Sequence, residues 1–341
     1  MIEIDGSYGE GGGSLLRIST ALSAVTGKPV HVSNIRDKRP KKGLMPQHLN
    51  ALKAVAQLTH ASHDGLKIGS TEISFCPGDL HGGAYNLDIG TAGSITLVLQ
   101  SFMIPAAFAD SPVKIVIRGG TDVRWSPPVD YFHNVTLPLL ESIGYHSKIH
   151  IIQRGHYPRG GGLLKLEIAP IKKLKPFNLQ ELQFDYIKGI SHAVKLPEHV
   201  AVRQAKSAEK FLMKEGYEAD IEIQHSNREL GPGSGIVLWT EGKSKVGGSS
   251  IGEPGKRAEL VGQEAAEELL YHISRNAALD KYMGDQIIPY MVLADDSKIK
   301  TSELTKHALT NIYVAEAIIK KEFKVKGKLG NQAIIRVDRF R

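Results

Sequence analysis

An internal repeat of about 80 residues is the feature that most constrains how this chain can fold. Gly13-Ser14 and Gly93-Ser94 each stand where a Gly-rich turn meets a predicted helix. In both copies the segments follow in the same order: strand, helix, strand, helix, strand, strand. Because β-rich units joined by helices bury one face of each against the next, the repeat predicts an α+β chain of β-α-β-α-β-β units.

The elements of each copy are predicted from apolar periodicity and from helix-starting residues. In the first copy, MIEI and PVHVSNI predict strands, and apolar residues at helical spacing predict a helix from Ser14. Pro46 begins a second helix, and two short strands are expected around Leu66 and Ile73. In the second copy a Gly-rich turn precedes the apolar helix ITLVLQSFMIPAAF, and Pro127-Pro128 begins the helix VDYFHNVTLPLLESI.

A third copy is interrupted by a segment of different charge. Residues 181–275 hold 12 Lys and Arg against 15 Asp and Glu, a balance of −3, whereas the remainder carries +10. The segment contains predicted helices and strands of its own. We therefore predict three repeats in a main catalytic domain, residues 1–180 plus 276–341, with a smaller α+β domain, residues 181–275, inserted in the third.

Composition and segment length argue against a membrane-spanning, secreted or disulfide-stabilised protein. The apolar segments are shorter than a membrane span, and MIEIDG lacks the pattern of a signal peptide. The single cysteine, Cys76, excludes an intramolecular disulfide and fits a reducing compartment. We therefore expect a cytoplasmic protein without a membrane partner. The basic body indicates an anionic partner such as nucleic acid, although solvated surface lysines account for part of the charge.

The first Gly-rich turn, Gly9–Ser14, is a candidate phosphate site. Glycines let backbone N–H groups approach a phosphate, and the helix that follows favours an anion at its N-terminus. A plain strand-to-helix turn explains the same glycines. A carboxylate at Glu10 would repel a phosphate unless a cation lay between them, so Glu10 is either a Mg²⁺ or Mn²⁺ contact or an exposed turn residue.

Two further segments carry candidate chemistry. The run RDKRPKKG from Arg36 to Gly43 is either a phosphate clamp or a solvated loop, and Arg17, one turn into the first helix, could join it. The segment KHALTN places His307 at the start of a helix, where a neutral imidazole is a good nucleophile toward phosphorus. Composition alone does not select His307 from the 14 histidines.

Eight motifs, in order along the chain, resemble those of RNA 3'-terminal phosphate cyclases. They are DGSYGEGGGSLLR from Asp5, RDKRPKKGLMPQHL from Arg36, GTAGSITLVLQ ending at Gln100, GGTD ending at Asp122, PPVDY from Pro127, RGGG from Arg159, YMGDQ from Tyr282 and HALTN from His307. The motifs cover nearly the whole chain. The fold of that family, three repeats with a smaller domain inserted in the third, agrees with the organisation described above.

The resemblance implies a three-step reaction. The histidine of the H-x-x-T-N segment, here His307, attacks the α-phosphate of ATP, releases pyrophosphate and carries AMP. The RNA 3'-phosphate then accepts the AMP to give RNA(3')pp(5')A, and the neighbouring 2'-OH expels AMP to leave a 2',3'-cyclic end. The implied cofactors and partners are ATP, a divalent cation (Mg²⁺ or Mn²⁺) and RNA with a 3'-phosphate. The oligomeric state stays open, with a homodimer as one candidate.

The matching positions imply individual roles. Glu10 resembles the metal contact near the ATP phosphates. The residues implied to act on the phosphates are Arg17, Arg36, Arg39, Gln47 and His48, and those implied to bind the nucleotide are Gln100, Pro127, Tyr131, Tyr282, Asp285 and Gln286. The ring at Tyr131 is often Phe in the family, a mild departure because either ring stacks on a base. Helix packing is the other explanation for the two tyrosines.

Two alternatives come from other functional classes. One is a catalytically silent relative that acts as a scaffold in ribosomal-RNA processing, but such relatives lack the nucleophilic histidine. The other is an enolpyruvyl transferase with similar repeats, which needs no adenylate pocket and is not expected to retain H-x-x-T-N. Because His307 is followed by Thr310 and Asn311, the sequence favours the cyclase.

Overall fold

The first unit of the chain follows the predicted order of elements. The computed structural model describes residues 1–339. The unit comprises β1 (Ile2–Asp5), α1 (Gly13–Thr26), β2 (Val30–Ser33), α2 (Pro46–Thr59), β3 (Ser62–Asp64) and β4 (Ile73–Cys76). Helix α2 begins at a proline, whose fixed φ suits the first helical position. The strand expected around Leu66 ends earlier, because Lys67 N donates to Gly65 O and turns the chain.

The second unit repeats this order with one irregularity in its second helix. It comprises β5 (Gly83–Asp88), α3 (Ile95–Ala106), β6 (Val113–Gly119), α4 (Val129–Tyr131), α5 (Leu137–Ser142), β7 (Ser147–Gln153) and β8 (Gly162–Ile168). A π-helical turn, Phe132–Thr136, joins α4 to α5. The predicted helix after Pro127-Pro128 is therefore present but not uniformly α-helical.

The third unit is split by a long insertion. It begins with the two-residue strand β9 (Asn178–Leu179). The insertion comprises β10 (Tyr186–Val194), α6 (His199–Lys214), β11 (Ala219–Ser226), β12 (Gly233–Glu241), β13 (Gly247–Ile251) and α7 (Ala258–Ser274). The unit then resumes with α8 (Lys281–Gln286), α9 (Ile288–Ala294), β14 (Ser297–Thr301), α10 (Lys306–Ile319), β15 (Phe323–Gly327) and β16 (Ala333–Val337).

Three of the four sheets share one topology. Their strand orders are β1-β2-β4-β3, β5-β6-β8-β7 and β15-β16-β14-β9. In each sheet the first strand of the unit lies at an edge and pairs parallel with the second, and the other pairs are antiparallel. The α+β fold class is confirmed, and the shared topology agrees with three β-α-β-α-β-β units.

The inserted segment has a different sheet and a core of its own. Its strand order is β11-β10-β12-β13, with β10 parallel to β11, and α6 and α7 pack together against it. Its core runs from Ile187 to Ile273, whereas a larger core from Ile4 to Val337 joins the three units. All its elements lie inside 181–275, and that this segment is a separate domain stays a prediction.

Helices of different units meet in the larger core. Helix α1 packs against α10, α2 and α3, and α10 also packs against α8 and α9. The N-terminal ends of α1, α2 and α10 thereby approach one another, although they lie far apart in the sequence. Within residues 1–339, none of the helices is both long and apolar enough to cross a membrane.

Candidate active site

A cleft of about 950 Å³ lies where these helix N-termini meet the inserted segment. Every site residue predicted from the motifs lines it. These residues are Glu10, Arg17, Arg36, Arg39, Gln47, His48, Gln100, Pro127, Tyr131, Tyr282, Asp285, Gln286 and His307. The structure therefore brings together side chains from all three units, and the roles expected for them stay predictions.

His307 lies at one end of the cleft, opposite the Gly-rich turn. Its Nε2 is 3.1 Å from Glu10 Oε2, and its side chain is 45% exposed. It is the second residue of α10, whose start is capped by Thr305 Oγ1 accepting from Ala308 N. Burial lowers the pKa of His307, Glu10 opposes this shift, and Arg17 and Arg39 add to it. The imidazole is therefore favoured in the neutral form, which has a free electron pair.

The absence of a side chain at Gly13 lets His48 and Arg17 approach the start of α1. A Cβ at Gly13 would lie 2.5 Å from His48 Nε2 and 2.9 Å from Arg17 Nη1, so only glycine leaves room for both. Gly12, the residue before α1, has no side chain to cap the first amides of the helix. Those amides and the helix dipole favour an anion at this end of the cleft.

The three arginines differ in how they are held. Arg17 is buried, donates to Gln100 Oε1 over 3.3 Å, and its pKa is lowered by burial to about 10. Arg36 has a φ of 58°, and its Nε donates to Lys41 O over 3.1 Å. Arg39 Nη2 is 3.5 Å from Glu10 Oε2. A backbone in the left-handed region at Arg36 is strained, and it directs the basic segment into the cleft.

His48 occupies a strongly cationic part of the cleft. Its Nδ1 accepts a hydrogen bond from Met45 N over 3.3 Å. Burial lowers its pKa to about 3, and Arg17 and Arg36 contribute to the shift. His48 is therefore neutral across the physiological pH range.

The aromatic wall of the cleft is built on a buried carboxylate. Tyr131 OH donates to both oxygens of Asp280 at 2.8 Å, and Gly247 N donates to Asp280 Oδ2 over 2.9 Å. Tyr131 is only 2% exposed and meets the ring of Tyr282 edge to face at 6.1 Å. Tyr282 is 37% exposed, and Lys281 Nζ lies over its ring, 4.8 Å from the ring centre. In the loop before α4, the backbone carbonyl of Pro127 accepts a hydrogen bond from Thr96 Oγ1 over 2.8 Å.

Asp285 and Gln286 follow Tyr282 at the end of α8. The Asp285 carboxylate accepts from Thr305 Oγ1, and its backbone carbonyl accepts from Asn311 Nδ2 over 2.8 Å. Burial raises the pKa of Asp285 well above its usual value. Asp285 thus holds the start of α10, the helix that carries His307. Gln286 lines the cleft, and its buried Oε1 has no hydrogen-bond partner among the residues described.

The cleft also contains residues that sequence reasoning did not select. Asn311 Oδ1 accepts from Ser14 Oγ over 2.8 Å and so joins α10 to α1. Trp125, 92% exposed, stands on the loop before α4. The inserted segment contributes Lys256 and Glu253. Asn311 belongs to the H-x-x-T-N motif and could have been chosen from it, whereas loop residues of the insertion have no pattern that marks them.

Comparison with known proteins identifies the family. The family model described as RNA 3'-terminal phosphate cyclase matches residues 8–325. A protein of Methanothermobacter thermautotrophicus named RNA 3'-terminal phosphate cyclase is 50% identical over 99% of this chain and 100% of its own length. A protein of Pyrococcus furiosus with the same name is 50% identical over 99% of each chain.

A solved structure gives a much weaker match. The enolpyruvyl transferase NikO from Streptomyces tendae matches with a TM-score of 0.27 and 13% identity, over 49% of this chain and 33% of that chain. A likeness this low carries no argument about fold or function. The match to the family model and the two full-length relatives show that the chain belongs to the RNA 3'-terminal phosphate cyclase family.

Proposed function

We propose that this chain uses ATP to convert an RNA 3'-terminal phosphate into a 2',3'-cyclic phosphodiester. The names of the relatives state the cyclase activity. One observation supports His307 as the nucleophile: its Nε2 faces the cleft 3.1 Å from Glu10, among Arg17 and Arg39. A nucleophile of this kind needs a free electron pair and surrounding positive charge to bind a polyphosphate.

In the first step, His307 Nε2 attacks the α-phosphorus of ATP. A nitrogen–phosphorus bond forms, the bond from the α-phosphorus to the bridging oxygen breaks, and pyrophosphate leaves with that electron pair. The product carries AMP on the imidazole, and its Nδ1 proton can remain, which keeps the imidazole a good leaving group. Arg17, Arg36 and Arg39 stabilise the charge on the phosphate oxygens, because planar guanidinium groups donate to two oxygens at once.

The position of Glu10 fits a divalent cation. Its carboxylate stands in the Gly-rich turn, beside His307 and Arg39, where the phosphates would lie. Mg²⁺ is commonly held by one or two carboxylates together with substrate phosphates. Mg²⁺ or Mn²⁺ held by Glu10 would neutralise phosphate charge as the α-phosphorus is attacked.

In the second step, an oxygen of the RNA 3'-phosphate attacks the histidine-bound phosphorus, and the imidazole leaves. In the third, the 2'-OH of the same ribose attacks the 3'-phosphorus, loses its proton and displaces AMP. A phosphate monoester has no usable leaving group, and the attached AMP supplies one. Gln47 and His48 are placed by this proposal near the reacting phosphates, since both line the cleft beside the Gly-rich turn.

The nucleotide base is proposed to lie between Tyr282 and Pro127. Tyr282 is the more exposed of the two tyrosines, and Tyr131 meets its ring edge to face. Gln286 and Gln100 supply polar contacts, whereas Asp285 acts through the start of α10. The basic body, +10 outside residues 181–275, would bind the RNA backbone. We place the reaction in the cytoplasm, and a homodimer stays a prediction.

Three RNAs that differ only at the 3' end test the proposal. With ATP, an RNA ending in 3'-phosphate is expected to become resistant to phosphatase, and an RNA ending in 3'-OH is expected to stay unchanged. A 2'-deoxy 3'-phosphate end is expected to accept AMP and stop there, because it lacks the internal nucleophile. Accumulation of that adenylylated strand, seen by gel with ATP labelled at the α-phosphate, is the decisive result.

Two results would contradict the mechanism. Cyclisation of the 2'-deoxy end would show that the 2'-OH is not the nucleophile of the third step. Transfer of label to RNA without a labelled protein intermediate would show that His307 is not the nucleophile of the first step. The catalytically silent scaffold and the enolpyruvyl transferase both predict that no RNA is adenylylated at all.

A further inference from the structure

Three segments distant in the sequence meet where the inserted sheet packs on the second unit. Asp122 follows β6, His156 lies in the loop before β8, and His192 belongs to β10 of the insertion. The side chains are buried, with exposed fractions of 2%, 4% and 1%. One ligand atom from each lies within 4.8 Å of the others. Carboxylate and imidazole are the donors that zinc takes in proteins.

The free atoms of these side chains point to coordination. Asp122 Oδ2 accepts from Thr121 Oγ1 over 2.6 Å, but Asp122 Oδ1 has no hydrogen-bond partner within residues 1–339. The Nε2 atoms of His156 and His192 are 3.0 Å apart. Two nitrogens on one tetrahedral zinc ion lie about 3.3 Å apart at ordinary Zn–N distances. The two nitrogens therefore already stand near that separation, and a ligand oxygen of Asp122 lies within 4.8 Å of both.

The backbone of the insertion is shaped around the two rings. A Cβ at Gly233 would lie 2.0 Å from His156 Cγ, so the imidazole occupies the space that a side chain would fill. Two residues along β12, a Cβ at Gly235 would lie 3.1 Å from His192 Cε1. The rings are thus positioned by close packing, as ligands of a built site are.

The buried side chains around the imidazoles of His156 and His192 carry more negative than positive charge, which favours a bound cation. Asp122 and Asp130 are buried with Arg154, which lies 3.4 Å from Asp122 Oδ2 and 2.8 Å from Asp130 Oδ2. The buried Glu229 lies close enough to His156 to act on it electrostatically. Two carboxylates therefore share one guanidinium, and a third, Glu229, adds negative charge beside His156. Buried charges of one sign are costly unless a counter-charge is present, and a divalent ion supplies it.

We propose that Asp122, His156 and His192 bind one Zn²⁺ ion that joins the insertion to the second unit. Three protein ligands and a water molecule form a tetrahedral site. Asp130 Oδ2 lies 3.9 Å from His192 Nδ1, too far for a hydrogen bond, so this carboxylate acts on the second ring nitrogen through its charge. Asp122 also begins the loop that carries Trp125 and Pro127 into the cleft, so the ion would hold that wall in place.

Zinc counting on untagged full-length protein tests the proposal. After exchange into zinc-free buffer, wild type is expected to retain close to one zinc per chain, measured by plasma mass spectrometry. The double variant His156→Gln/His192→Gln is expected to retain almost none, with affinity reduced more than roughly 100-fold. The matched control is His272→Gln, because His272 is also fully buried but pairs with Ser302 Oγ instead, at 2.9 Å. His307→Ala is expected to retain zinc, which separates this site from the cleft.

A second measurement does not depend on the variant folding. X-ray absorption at the zinc edge of wild type is expected to show nitrogen and oxygen ligands with two imidazoles and no sulfur, since the three proposed donors are one carboxylate and two imidazoles. Loss of zinc from wild type on buffer exchange would overturn the proposal and leave a hydrogen-bonded histidine pair. Equal zinc in wild type and the double variant, or sulfur among the ligands, would overturn it too. Adenylylation of His307 is measured separately, so failure here leaves the proposed function standing.

Discussion

His48 and His307 both stand in the first turn of a helix, one residue apart in register, in two units of the same fold. His48 is the third residue of α2, and His307 is the second residue of α10. Each helix is the second of its β-α-β-α-β-β unit, and both side chains line the cleft. The repeated backbone therefore delivers two imidazoles to one site, and the surrounding side chains distinguish them.

The neighbours of the two rings differ in charge. His48 is packed against Gly13 and lies near Arg17 and Arg36, with its Nδ1 taken by Met45 N. His307 Nε2 faces Glu10 and is partly open to the cleft. The His48 ring is packed against Gly13 and bonded at Nδ1, which leaves it less room to reach phosphorus than the partly exposed ring of His307. The repeated fold places both imidazoles in the cleft, and the neighbouring charged residues, Glu10 and the arginines, distinguish the proposed nucleophile from the other histidine.

The largest expected difference between the two histidines is in covalent labelling. His307→Ala is expected to abolish transfer of label from ATP labelled at the α-phosphate, because the nucleophile is removed. His48→Ala is expected to label more slowly but still to form the adduct. Denaturing electrophoresis measures both, and the bond is expected to be labile in acid and stable in alkali, as a phosphoramidate is. A labelled His307→Ala protein would assign the nucleophile elsewhere.

The arginines near the two rings are expected to have the next largest effect. Arg36→Ala and Arg39→Ala should each cost about 2–4 kcal/mol of transition-state stabilisation, as loss of a preorganised charge donor does. Arg→Lys should restore little, because an ammonium group cannot reproduce the planar pair of donors. Single-turnover labelling rates measure the cost. Unchanged rates in both alanine variants would make this segment a solvated loop.

The smallest expected effect is a difference in stability with pH. The pKa of His48 is lowered to about 3 by burial and two arginines. Between that pKa and the ordinary value of 6.5, His48 is protonated in the unfolded chain but neutral in the folded protein. The free energy of unfolding therefore decreases as the pH falls. For this one group the loss is about 2 kcal/mol between pH 7 and pH 5. Urea unfolding at both pH values should show a smaller loss in His48→Gln, and identical losses would contradict the assigned environment.

The location of the site could be predicted from sequence better than its internal contacts. Ordered motifs identified side chains that do line one cleft, because each motif sits where a strand or loop meets a helix. The partners of Asp285 could not be predicted, since its bond to Thr305 depends on how α8 packs against α10. Tyr131 was implied to bind the nucleotide, with helix packing as the other explanation, and its buried hydroxyl pair with Asp280 is a tertiary contact that no local pattern encodes.

The fold was predictable where the pattern was long enough. Helices α6 and α7 were recognised because they span several turns. Strand β9 has two residues, too few to display alternation, and was not seen. Lys256 and Glu253 reach the cleft from a loop of the insertion, and the charge of a loop residue does not reveal which way it faces.

The split of the third unit has a consequence for the order of folding. Leu179 of β9 pairs with Ile299 of β14, so this contact closes a loop of about 120 residues, whose entropic cost grows with length. Ala278 N donates to Gln180 O over 3.3 Å, which shows that the insertion brings its own ends together. An insertion that folds first thus converts a long loop into a short one. The cleft takes side chains from all three units, so it is complete only when the third unit has closed around the insertion, and AMP bound to protein during refolding would report that closure.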